Sequence, residues 1–121
     1  MITFSVGAGK LSDKNGIVIG PAYSGAPGHV DVVADDGLKG LGPIPLGLWN
    51  IGAPEDVDGL GPFCLRLTPC EGTETFGRGG FYFHGDNAKG DHSGSHGCIV
   101  AAHPEREQVW ADEDHLVNVV P

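Results

Sequence analysis

Turn-forming residues break this chain at such short intervals that its regular structure must come in short pieces. Twenty-one glycines and nine prolines are spread through 121 residues. Glycine loses the most backbone entropy when held in regular structure, and proline removes an amide donor. Many short strands joined by tight turns fit that punctuation better than long helices. A hydrophobic fraction of 40%, with two tryptophans and five phenylalanines, is enough for a packed core and argues for a loop-rich globular chain rather than disorder. The length suits one core. No repeat, low-complexity segment or linker divides the chain, so residues 1–121 are read as one domain.

The apolar pattern places the pieces. Residues 2–5 begin an apolar/polar alternation, and the β-branched run from Gly16 to Ile19 follows a turn at Ser12-Asp13-Lys14-Asn15-Gly16, which together suggest an opening hairpin. Tyr23-Ser24-Gly25-Ala26-Pro27-Gly28 reads as loop, with His29 on the surface after it, and Val30–Val33 reads as a short strand. The proline-fixed turn Gly42-Pro43-Ile44-Pro45-Leu46-Gly47 leads into a strand at Leu48–Ile51, whose Trp49 is assigned to the core. Leu65–Leu67, Phe81–Phe83 and Leu116–Val120 are further strands, and the second of these ends directly before His84. Pro104–Ala111 is the one convincing helix, with proline suited to its first position. The expected fold is therefore mainly β, with one short helix near the C-terminus.

Charge and cysteine usage exclude several partners. The net charge is −9, and the seven Lys and Arg are scattered, so the basic footprint of a nucleic-acid binder is missing. No apolar run is long enough for a membrane span, and the N-terminus has no export-signal pattern, which predicts synthesis in the cytoplasm and export by other means. Three cysteines leave at least one outside any intramolecular disulfide. Cys98 is read as the free one. Cys64 and Cys70 either bridge a hairpin in an oxidising compartment or are two small buried residues.

The chemistry concentrates in residues 84–98, where His84, Asp86, Asp91, His92, His96 and Cys98 share one stretch with Gly94 and Gly97. A free thiol has a pKa of about 8.5 and is mostly protonated at neutral pH, so a nearby histidine that takes its proton makes it a nucleophile. The glycines let the backbone turn tightly around the cysteine, so that amide N–H groups can face a developing oxyanion.

These residues resemble the L,D-transpeptidase (YkuD-like) superfamily, whose signature is a histidine-glycine pair followed by Ser/Thr-His-Gly-Cys; here these are His84-Gly85 and Ser95-His96-Gly97-Cys98. The wider pattern, with Tyr23-Ser24-Gly25, Gly42 through Trp49 and Arg106 through Trp110, is similar to the compact L,D-transpeptidase-type effector domains of type VI secretion. The resemblance implies a small β-sandwich or barrel-like domain with no cofactor and no metal. It implies Cys98 as nucleophile, His84 as base, Gly85 as the carbonyl that orients the imidazole, and His96 and Gly97 around the oxyanion. It further implies Tyr23, Ser24 and Ser95 as substrate-binding side chains, the tetrapeptide stems of peptidoglycan as substrate, and action in the periplasm of a target cell. A secretion apparatus and an immunity protein are the partners it suggests. The family's polar residue after the cysteine is replaced by Ile99-Val100, so Arg106 on the helix becomes the candidate for a stem carboxylate. Two other readings compete: a zinc site drawn from His84, Asp86, His92, His96, Cys98 and His103, and a non-enzymatic β-rich module of a phage or secretion apparatus. In the latter the loop would contact a partner and need no reactive thiol.

Overall fold

The computed structural model describes residues 1–91 and 94–121. Among them run nine strands: β1 (Ile2–Ser5), β2 (Lys10–Ser12), β3 (Val18–Ser24), β4 (Gly47–Ile51), β5 (Glu55–Val57), β6 (Gly61–Pro69), β7 (Phe81–His84), β8 (Ile99–Ala101) and β9 (Leu116–Val120). The helix α1 (His103–Ala111) lies between β8 and β9. The hydrogen-bonded order is β4-β9-β1-β2-β3-β8-β7-β6-β5, and β4 also pairs with β6. That pairing closes eight strands into a barrel and leaves β5 as a flap on β6. Closure removes the open edges through which a sheet would pair with other chains. Two neighbouring pairs, β1–β9 and β7–β8, are parallel, and the second matters for function.

Alternation along the strands sends Ile2, Phe4, Leu11, Trp49, Ile51, Leu65, Leu67, Phe81, Phe83, Ile99, Val117 and Val119 into one core. Trp49 is buried as expected. Its indole meets the Phe81 ring edge-on at 5.1 Å, and its N–H donates to the Pro45 carbonyl. The proline turn thus satisfies the one polar atom that the core tryptophan carries.

The sequence reading fails in identifiable places. Tyr23 and Ser24 continue β3 rather than start a loop, because β8 supplies a ladder partner (Tyr23 opposite Val100, Ser24 opposite Ile99) from far along the chain. Val30–Val33 is not a strand. Asp31 has a positive φ of 56°, its carboxylate takes the Ser24 N–H, and His29 Nδ1 lies 2.8 Å from Asp35, so the segment folds into turns and a 3₁₀ turn at Val33–Asp35. The opening turn holds at residues 13–17, but it joins β2 to β3, and the three-residue β2 was not foreseen. Cys64 and Cys70 are both free thiols, the first buried and the second half-exposed. No helix among the described residues is long and apolar enough to cross a membrane.

Candidate active site

The parallel pair β7–β8 brings the two ends of the motif together. Phe83 lies opposite Ile99 and His84 opposite Val100. Parallel neighbours point the same way and successive residues alternate, so Phe83 and Ile99 fill the core while His84 and Val100 face the other side. Cys98, one residue ahead of β8, lies beside the start of β7, where its thiol meets the Tyr82 amide and the Gly80 carbonyl. The pairing of the two strands thus brings the residues at the two ends of the loop into one part of the sheet.

His84 is only 4% exposed. Its Nδ1 lies 2.7 Å from the Gly85 carbonyl oxygen. A carbonyl only accepts, so Nδ1 carries the proton and Nε2 keeps a free lone pair. Burial pushes the imidazole below the ordinary histidine value; the nearby Arg106 charge pushes the same way, while the Gly85 contact and Asp86 partly offset both. Burial also pushes the Cys98 thiol up, against smaller opposing effects from the Tyr82 amide and Arg78. The resting pair is thus a neutral imidazole and a neutral thiol.

Cys98 opens onto a cavity of about 270 Å³ lined by Lys39, Arg78, Gly80, Phe81 and His96, with its Sγ 3.7 Å from the Gly80 carbonyl. Gly97 has φ of 137°, and a Cβ there would stand 2.6 Å from Arg78 Nη2 and 2.8 Å from Phe81 Cε1. Only glycine lets the chain pass between those groups into the cysteine. Two buried serines hold the turn. Ser24 Oγ donates to the Gly97 carbonyl and accepts the Ile44 N–H, while Ser95 Oγ donates to the Cys98 carbonyl and accepts the N–H groups of Gly25 and Gly97. Both were expected to touch substrate. With their hydroxyls enclosed and occupied by backbone, they shape the turn that leads into Cys98 instead.

Tyr23 ties the long loop at both ends. Its Oη donates to Asp86 at 2.6 Å and accepts the Gly94 N–H at 2.9 Å. Tyr23, itself buried, borders a small hollow of about 200 Å³ shared with Asp86 and Val100. Arg106, the candidate for a stem carboxylate, is 5% exposed, with Nη1 donating to the carbonyls of Pro62 and Phe63. Its guanidinium underlies Gly85, where a Cβ would come within 3.2 Å. That leaves it unsuited to an incoming carboxylate.

Arg78 is the residue that sequence reasoning missed. Buried behind the cavity, it donates to the carbonyls of Asp36, Gly42 and Pro43, with the His96 carbonyl at 3.5 Å, and its charge stands 5.1 Å over the Phe81 ring. It pins the 36–43 segment to the backbone beside the cysteine. The only sequence signal was a lone arginine inside the glycine-rich stretch Gly77-Arg78-Gly79-Gly80. Among the described residues no group of three or more His, Cys, Asp or Glu side chains is arranged to hold a metal ion, and His103 pairs instead with Glu107 on its own helix. His92, part of the zinc alternative, lies outside the described residues.

Comparison with known proteins agrees with this fold. The Tlde1 domain family matches residues 19–120. Among solved structures, an L,D-transpeptidase (Yku) from Stackebrandtia nassauensis superposes with a TM-score of 0.60 at 16% identity, over 99% of this chain and 54% of that one. The chain thus spans about half the length of that transpeptidase, and the likeness is one of fold. No curated protein matches it.

Proposed function

Because the chain belongs to the Tlde1 domain family, the L,D-transpeptidase-type effector domains that its sequence resembles, we propose that it is a cysteine-dependent enzyme acting on the tetrapeptide stems of peptidoglycan. The observation that carries this reading is the buried His84, held by Gly85 in the tautomer that frees Nε2, at the end of a strand paired with the one that Cys98 leads into.

Nε2 takes the thiol proton as Sγ attacks the carbonyl of the third stem residue. Because both groups rest neutral, charge separates only as the bond forms, and a backbone N–H beside the cysteine stabilises the oxyanion. The Gly97 N–H is engaged by Ser95, so the Cys98 amide is the better donor. The carbon–nitrogen bond to the terminal D-alanine then breaks, its nitrogen takes the proton back from His84, and a thioester remains on Cys98. Water reaching that thioester gives L,D-carboxypeptidase action, a free D-amino acid gives exchange, and a second stem gives a crosslink. The target is the wall of a susceptible bacterium, reached in its periplasm through a secretion apparatus, with an immunity protein guarding the producer.

Incubating the protein with purified tetrapeptide muropeptides and resolving the products by mass spectrometry tests the reading. Conversion to tripeptide, or to a D-amino-acid-exchanged stem when one is added, is the expected result. Unchanged muropeptides would overturn it.

A further inference from the structure

The cavity beside Cys98 has a charge that the rest of the molecule does not prepare for. The chain carries −9 overall, yet two cations, Lys39 and Arg78, line this cavity and no aspartate or glutamate does. The hollow on the other side, at Tyr23 and Val100, contains the Asp86 carboxylate. The two hollows therefore differ in sign, basic beside Cys98 and Gly80 and acidic beside Tyr23.

The two cations differ in what they can offer. Arg78 is buried, and its N–H groups already serve backbone carbonyls, so it contributes its field rather than a direct contact. Lys39 is exposed at the rim and has no ion-pair partner among the described residues. A lysine ammonium is a mobile point charge with three donors, suited to closing on an anion that enters.

We propose that Lys39, backed by the field of Arg78, forms a carboxylate subsite next to Cys98, and that it selects substrates carrying a free carboxylate on the residue that leaves. This rests on the acyl-transfer reading above. The leaving residue of a tetrapeptide stem carries its carboxylate two bonds beyond the departing nitrogen, so a charge-selective wall beside the attacked carbonyl is placed to read it. Arg106, enclosed and bonded to Pro62 and Phe63, does not do this.

The test does not depend on turnover. Cys98 in the intact protein is alkylated in parallel with iodoacetate, which is anionic, and iodoacetamide, which is neutral, and labelling at each cysteine is read by mass spectrometry. Any change in thiol acidity affects both reagents alike, so their rate ratio reports the local potential. In Lys39→Glu the iodoacetate-to-iodoacetamide ratio at Cys98 falls about 3- to 10-fold at low salt, while Lys39→Arg keeps it and added salt narrows the difference. With tetrapeptide stems, Lys39→Glu raises KM for the free acid more than it lowers kcat, and it erases the preference over a stem ending in a carboxamide. An unchanged ratio and unchanged preference in Lys39→Glu would overturn the subsite and leave the enzymatic reading standing. A ratio that falls in Lys39→Glu while the wild-type protein turns over no stem would remove the wall-peptide reading and keep the anion site.

Discussion

In the proposed mechanism two side chains carry the chemistry, and each gives a separable prediction. Cys98→Ala removes a half-buried thiol from a turn held by Ser24, Ser95 and Gly97. Turnover should be abolished while the unfolding midpoint in urea stays close to that of the wild type, and wild-type turnover in the variant would contradict the assignment. The lowered His84 pKa sets a pH signature. An ordinary histidine is half protonated at about pH 6.5 and fails as a base below it; His84 stays neutral further down, so the acid limb of kcat/KM should lie below pH 6.5. Arg106→Met removes a positive charge that holds the imidazole pKa down, so it should move that limb to higher pH. It also strips hydrogen bonds from the Pro62 and Phe63 carbonyls, and a loss of roughly 2–3 kcal/mol in urea unfolding should accompany the pH shift. A change in KM with neither effect would return Arg106 to substrate binding.

At the scale of elements, function depends on which strands lie side by side, and this is where the sequence was legible in part. Histidine, glycine and cysteine at 84, 85, 97 and 98 are informative as residue types, since few structural loops need them together, and the Phe81-Tyr82-Phe83 run marks β7 by local pattern alone. The three-residue β8, by contrast, exists because β3 and β7 flank it, and the same long-range pairing turns Tyr23 and Ser24 from loop into strand. Periodicity within a few residues does not contain that information. Arg78 and Arg106 were opaque for the same reason: their partners are carbonyls 18 to 44 residues away in sequence. The loop after β7 offers a direct check. Tyr23→Phe deletes the hydroxyl that joins Asp86 to Gly94 and leaves the ring in place. The loop should loosen without unfolding the barrel, lowering kcat/KM by about 10-fold with little change in thermal midpoint. Equal kinetics in the phenylalanine variant would show that the clamp is dispensable.

At the scale of the whole molecule, eight strands close on themselves around Trp49, Phe81 and Phe83, so β7, which ends in His84, and β8, which Cys98 precedes, are each braced on both sides by ladder hydrogen bonds. A rigid barrel under a glycine-rich nucleophile turn suits covalent catalysis, which needs its two reacting groups held to within a fraction of an ångström. If the target is the wall, the protein should be tolerated in the cytoplasm of a susceptible bacterium and cause swelling or lysis when a secretory signal delivers it to the periplasm. The Cys98→Ala form should be harmless in both places, and cytoplasmic toxicity that survives loss of the thiol would point to another target. The central claim is a covalent one, and intact-protein mass spectrometry after rapid mixing with a tetrapeptide stem and acid quench tests it most directly. A mass gain equal to the stem minus one molecule of D-alanine, mapped to Cys98 and absent from Cys98→Ala, is the result expected. Stem turnover with no adduct on Cys98, or with the adduct on Cys64 or Cys70, would contradict it.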